Sequence, residues 1–153
     1  MPDKNRMAEE HEDFIADLIG GHTTIASGAK YEKLDAVGEQ TGRHWRFLAE
    51  CKSTFDKGYR LTQELWEHVV KKTYERGADM RPMLAIRFYH EQGYTNYTPK
   101  YDLVVLDAHD YAEMRSELED KDRKLNKVVE YAKLLEEGWQ STEARSKVWD
   151  EVS

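Results

Sequence analysis

The stretch RFLAECKST, residues 46–54, sets Glu50 and Lys52 two positions apart in a run that alternates like a strand. Trp45, Phe47, Ala49 and Cys51 fall on one face, and Arg46, Leu48, Glu50 and Lys52 on the other. Side chains at i and i+2 point the same way, about 7 Å apart along the chain. On an exposed face such an ion pair contributes under ~1 kcal/mol. The flanking apolar residues argue for burial, where a charge pair costs several kcal/mol, and a chain that carries that cost often does so for a site.

A second acid on a neighbouring strand would complete a hard-cation site. Asp35, in EKLDAV, stands fifteen residues upstream of Glu50 across one turn. Mg²⁺ keeps several waters and takes one or two carboxylates, so Asp35 and Glu50 suffice if the Cys51 backbone carbonyl assists. Lys52 would then orient an attacking water and help deprotonate it, while Mg²⁺ or Mn²⁺ stabilises charge on a phosphate.

The elements that must position these groups follow from periodicity. RMAEEHEDFIADLIGG predicts a helix closing at Gly20-Gly21, with Phe14, Ile15, Leu18 and Ile19 as its buried stripe. HTTIASGAK predicts a strand and a bend at Gly28, YEKLDAVGEQTGRH a second strand, and HWRFLAECK a third. RLTQELWEHVVKKTYERG predicts a helix with Leu61, Leu65, Val69 and Tyr74 inward and Gly77 as its stop. The near-continuous apolar runs MLAIRFY and YDLVVLD predict two strands covered on both faces. The fold class is therefore α/β, a sheet between helices, with no internal repeat.

From Asp110, a potential cap with Glu113, the pattern changes. Tyr111, Met114, Leu118, Leu125, Val128, Ala132, Leu135 and Trp139 recur at 3,4 spacing, interrupted by Lys121. Either a coiled-coil seam or an amphipathic helix lying on its own domain satisfies this pattern. Residues 1–109 thus form one domain and 110–153 a helical tail, ending in the short segment GWQSTEARSKVWDEVS.

The net charge of -7 argues against a nucleic-acid partner on its face, but the charge is uneven. Residues 1–20 and 110–153 carry most of the acidic excess, and residues 21–109 hold twelve acids against thirteen bases. Within TGRHWRFLAECKSTFDKGYR, Arg43, Arg46, Lys52, Lys57 and Arg60 face only Glu50 and Asp56, a balance that suits phosphate contacts or simply a solvated surface. Six dispersed histidines and one cysteine offer no zinc motif or disulfide framework. No phosphate-cradling glycine loop supports a nucleotide cofactor. No apolar run reaches the ~20 residues of a membrane span, and the N-terminus lacks signal-peptide character, so the expected location is cytoplasmic. Cys51 and Trp66 read as core residues; Tyr94 and Tyr97 could stack on unpaired bases.

The order helix, three strands, helix, strand, with Asp35 and the ECK of residues 50–52, resembles the PD-(D/E)xK nuclease superfamily. The series AEEHEDFIADLIGG, ASGAK, KLDA and FLAECKST is most similar to the archaeal-type and phage Holliday-junction resolvases. The likeness spans roughly residues 7–107, and Leu34 departs from the motif's proline. It implies an α-β-β-β-α-β restriction-endonuclease-like core with a C-terminal helical extension. It also implies a Mg²⁺-dependent endodeoxyribonuclease acting on branched DNA, and a homodimer that brings two sites to one junction. A first-helix acid joins the site by this resemblance, Glu10 being the choice and Glu12 the fallback, with His11 able to take that face instead. Ser27 would contact a phosphate, and Arg43, Arg46, Lys57 and Arg60 would hold the backbone. The alternatives are a related nuclease acting on duplex or single-stranded DNA, or a catalytically silent DNA-binding scaffold of the same fold.

Overall fold

The computed structural model describes residues 4–24, 35–38, 46–90 and 98–150. It is a mixed α/β structure that divides into two compact units, Met1–Ala108 and His109–Ser153.

In the first unit the order is α1 (Lys4–Leu18), β1 (Gly21–Thr23), β2 (Ala36–Gly38), β3 (Arg46–Thr54), α2 (Gln63–Arg76), β4 (Met80–Tyr89) and β5 (Pro99–Val105). The strands form one sheet in the order β1-β2-β3-β4-β5. β1, β2 and β3 are an antiparallel meander, β3 and β4 run parallel, and β5 returns antiparallel. The parallel step needs a crossover, and α2 is that crossover. Its first turn is capped by Thr62, whose hydroxyl accepts from the Leu65 amide at 3.2 Å.

Two apolar clusters sit on opposite faces of the sheet. Ile15 and Ala16 of α1 pack on Ala36, Ala49, Met83 and Ala85, and Val69 of α2 packs on Val37, Leu48 and Met80. Alternation along β3 thus assigns Ala49 and Cys51 to the α1 side and Leu48, Glu50 and Lys52 to the α2 side. The bend from α1 into β1 is tight: Gly20 has φ 65, and a Cβ on Gly21 would lie 1.7 Å from the Val37 carbonyl oxygen.

Three expectations change. The buried stripe of α1 is Met7, His11 and Ile15, while Phe14 and Leu18 are 43% and 59% exposed. The helix is rotated because the i, i+4, i+8 series Met7-His11-Ile15 meets the sheet and buries a polar ring that apolar counting passes over. On α2, Thr73 is buried in place of Tyr74, its hydroxyl donating to the Val69 carbonyl at 2.8 Å, and Leu61, expected inward, precedes the helix and is exposed. β4 is covered on both faces as expected, but β5 is the edge strand of the described sheet, and Tyr101, Leu103 and Val104 remain exposed.

In the second unit, α3 (Ala108–Glu136) turns at Gly138, φ 91, into α4 (Ser141–Trp149). α3 begins before Asp110, which therefore lies in its first turn rather than capping it. Leu134, Ala144 and Val148 form a small core with Tyr131 against it. The Tyr131 hydroxyl lies 2.7 Å from that of Ser141, and its ring meets Trp149 edge-on at 5.4 Å. The segment expected to be a short terminus is thus a helical hairpin, and the residue buried in it is Leu134 where the 3,4 series chose Leu135. Leu118, Leu125 and Val128 of that series are exposed. No helix among the described residues is long and apolar enough to cross a membrane.

Candidate active site

Asp35 stands one residue before β2, and its backbone is fixed from both sides. Its amide donates to the Ala49 carbonyl at 2.8 Å, and its carbonyl accepts from the Thr24 amide at 2.9 Å. Extending the register Ala36↔Ala49 by one step sets Asp35 opposite Glu50. The Asp35 carboxylate then reaches into β3, where its Oδ2 accepts from the Cys51 amide at 2.6 Å. Beside it, the Lys52 ammonium donates to Glu50 Oε1. The Glu50 side chain is 12% exposed and that of Lys52 37%. The pair is therefore partly buried rather than set on an open face.

Among the acids of α1, which packs on the other face of the sheet, Glu12 is the half-buried one. Its carboxyl is pushed up to about 7, first by burial and then by the charges of Asp35, Asp13, Glu9 and Glu50. Glu10 instead pairs with Arg6 at 2.9 Å on the surface, with its side chain 56% exposed. The rotation of α1 explains the exchange. With His11 and Ile15 inward, residue 12 lies on the flank of buried Ala16, and residue 10 on the flank of exposed Phe14.

Asp35 is raised to about 6 by burial and by Glu50, against the Cys51 amide and Lys52, which favour its ionised form. Burial works against the charge of Lys52, but its hydrogen bond to Glu50 and the fields of Glu50 and Asp35 together hold its pKa above the usual value. Burial and the same acids push the Cys51 thiol well up, so it is inert as a nucleophile. Tyr59 is also raised, first by burial, and it feels both Lys52 and Glu50. Its phenol is thus a neutral donor at the edge of the site, and sequence reasoning passed it over.

A second group was also missed from sequence. On the α1 face, Arg87 of β4 forms a bidentate pair with Asp102 of β5, at 2.6 Å and 3.2 Å, while the Phe14 ring lies 5.1 Å from the guanidinium. His11 Nε2 stands 3.8 Å from Asp102 Oδ1, and its Nδ1 lies 3.3 Å from the Ser53 hydroxyl. Burial first, then Arg87, lowers His11 to about 4, with Asp102 opposing, so the ring is neutral at pH 7. His11 and Ser53 are chain neighbours of Glu12 and Lys52. Buried His11 thus ties α1 to β3 and β5 one residue away from Glu12 and Lys52. Its signal was present, since Arg87 and Asp102 are lone charges inside apolar runs and buried charges need partners.

The expected phosphate contacts divide. Arg46 is at the other end of β3 from Lys52, about 20 Å away at ~3.3 Å per residue, where it donates to the Gly38 carbonyl and pairs with Asp79 at 2.9 Å. That placement removes it from phosphates at the site. Lys57 and Arg60 are exposed and follow the end of β3 nearer Lys52. Ser27, Arg43, Leu34, Tyr94 and Tyr97 lie outside the described residues.

Among the described residues, no three His, Cys, Asp or Glu side chains form a ready metal cage. The donors are carboxylate oxygens, and burial first, then mutual repulsion, raises Glu12 and Asp35. Such a set fits a hard divalent ion that keeps most of its waters and takes one or two carboxylates. No protein-family model matches the chain, and no curated protein is significantly similar to it.

Proposed function

We propose that this chain is a metal-dependent endodeoxyribonuclease with a restriction-endonuclease-like core, of the Holliday-junction resolvase type. The observation that carries the reading is the arrangement along β3: Asp35 anchored to the Cys51 amide, Glu50 opposite it when the β2–β3 register is extended by one step, and Lys52 paired with Glu50 on one face; Glu12 of α1 feels the charges of Asp35 and Glu50. The meander followed by a parallel crossover strand suits the same reading.

In this reading Asp35 and Glu50, with the Cys51 carbonyl, would hold Mg²⁺ or Mn²⁺, and the ion would supply positive charge to the scissile phosphate. Lys52, anchored by Glu50, orients the water that attacks phosphorus as the bond to the leaving oxygen breaks. Glu12, titrating near neutrality, is suited to exchange a proton with that water and takes the role that the resemblance gave Glu10. Lys57 and Arg60 steady the DNA backbone. A homodimer presents two such sites to a branched substrate.

One observation favours a second reading. Lys52 already satisfies Glu50, a closed ion pair that a catalytically silent DNA-binding scaffold could keep for stability.

Cleavage of a synthetic four-way junction and a matched duplex, with Mg²⁺, Mn²⁺ or chelator, separates these readings. Metal-dependent paired cuts on the junction, reduced ~10²-fold or more in a folded Lys52→Ala variant, are expected. Cutting both substrates alike would keep the nuclease and drop the branch preference. DNA binding without cutting would establish the scaffold.

A further inference from the structure

The parallel strands β3 and β4 end side by side, and ligands of such sheets bind beyond the carboxyl ends of the strands. A cavity of about 350 Å³ opens there, walled by Phe55, Phe88, Tyr101 and Leu103, with Lys57 and Lys100 at its mouth. Asp35, Glu50 and Lys52 are not among the residues that line it. Phe55 follows Lys52 by three residues, roughly 10 Å along the chain, so a strand held at Lys52 passes its next base over this opening.

Its walls are unusual for a surface. Tyr101 is 58% exposed, Leu103 50% and Phe55 40%, three large apolar side chains left wet around one opening. The rings are also held. Phe55 stacks on Tyr89 with centroids 5.2 Å apart and planes 25° from parallel, and the Tyr89 hydroxyl donates to the Met7 carbonyl at 3.2 Å. The Lys100 ammonium lies 5.4 Å from the centre of the Tyr101 ring. Two lysines against Asp56 leave the mouth net positive. Rigid aromatic walls with cations at the rim are what an unpaired base and its flanking phosphates require. The volume sits at the low end of the ~300–1,000 Å³ of small-ligand clefts, which suits one nucleotide and no duplex.

We infer that the cavity beyond β3 and β4 takes a single unpaired nucleobase of the DNA strand, stacked on Phe55 and Tyr101, with Lys57 and Lys100 on the adjoining phosphates. The choice of DNA rests on the nuclease reading above; the demand for an unpaired base comes from the cavity itself.

The test uses the full chain in chelator, so that binding is read apart from cleavage. The probes are a fully paired duplex and the same duplex with a short single-stranded branch carrying 2-aminopurine. Stacking should quench the fluorophore on the branch. Tyr101→Ala should weaken branch binding ~10-fold, Tyr101→Phe should restore it, and duplex binding should stay as it was. Paired Lys57→Ala and Lys100→Ala should weaken the branch complex and flatten its salt dependence. Equal affinities for wild type and Tyr101→Ala, absent quenching, or no DNA binding at all would overturn the inference. So would a dimer that Tyr101→Ala splits into monomers without changing branch affinity, since the face would then belong to a second copy. Quenching by a protein that cuts nothing when given metal leaves the pocket standing and removes the nuclease. Metal-dependent cutting of the branched probe that is indifferent to Tyr101→Ala does the reverse.

Discussion

Replacing Asp35 by Asn tests whether the carboxylates are held together at a cost. Asn preserves the acceptor that takes the Cys51 amide proton and removes only the charge. The carboxyl rises from 3.8 to about 6 on folding. Its contribution is therefore fully present below pH 3.8 and lost as pH rises through about 6. At ~1.4 kcal/mol per pKa unit the ceiling is ~3 kcal/mol, and solvent screening reduces this to about 1–2 kcal/mol. In metal-free buffer at pH 8, Asp35→Asn should be more stable than wild type, with a Tm roughly 4–8 °C higher. At pH 4.5 most of that gain should vanish. Mn²⁺ at pH 8 should raise the Tm of wild type and leave the variant unmoved. Scanning calorimetry at the two pH values, with and without Mn²⁺, reads all of this. Equal destabilisation at both pH values would refute the reasoning, because the carboxylate would then be stabilising through its hydrogen bond alone.

Asp102→Asn strips Arg87, 6% exposed, of its counter-charge and should cost about 3 kcal/mol in urea unfolding. Arg87→Met combined with Asp102→Leu should recover much of that, and a double variant no better than Asp102→Asn would show that the pair is not the cause. Gly21→Ala drives a methyl into the Val37 carbonyl and should lower the urea midpoint by the equivalent of about 3 kcal/mol or more, whereas Gly58→Ala, with open space around it, should stay within ~0.5 kcal/mol.

The elements of the first unit were legible because β-branched runs, glycine stops and the alternation across Glu50 and Lys52 are local signals. Contact between Asp35 and β3 was anticipated from one turn's separation, and Lys52 shares its face with Glu50 by strand geometry alone. What escaped was rotational and long-range. The phase of α1 depends on a histidine being buried, which hydropathy scores as polar, and it leaves Glu10 exposed and Glu12 half-buried. Exposure of β5 is set by where the sheet ends, which no window of residues contains. Arg46 looked like a phosphate ligand beside Lys52 because both lie in one short string, whereas extended chain carries them to opposite ends of a strand. The α3–α4 hairpin turns on Gly138, whose lone glycine signal was outweighed by a charged, Ser- and Glu-rich flank.

The parallel pairing of β3 with β4 has a consequence in time. The acids at 12, 35 and 50 have all left the ribosome when β4, and then Asp102, which completes the clamp on α1, emerge some 30 to 50 residues after Glu50. At ~5–20 residues per second the meander waits for seconds as an unsupported, mutually repelling cluster. Non-local strand pairing is the slow part of folding. Asp35 can reach its β3 partners within the meander, but the clamp on His11 closes only when β5 has been made.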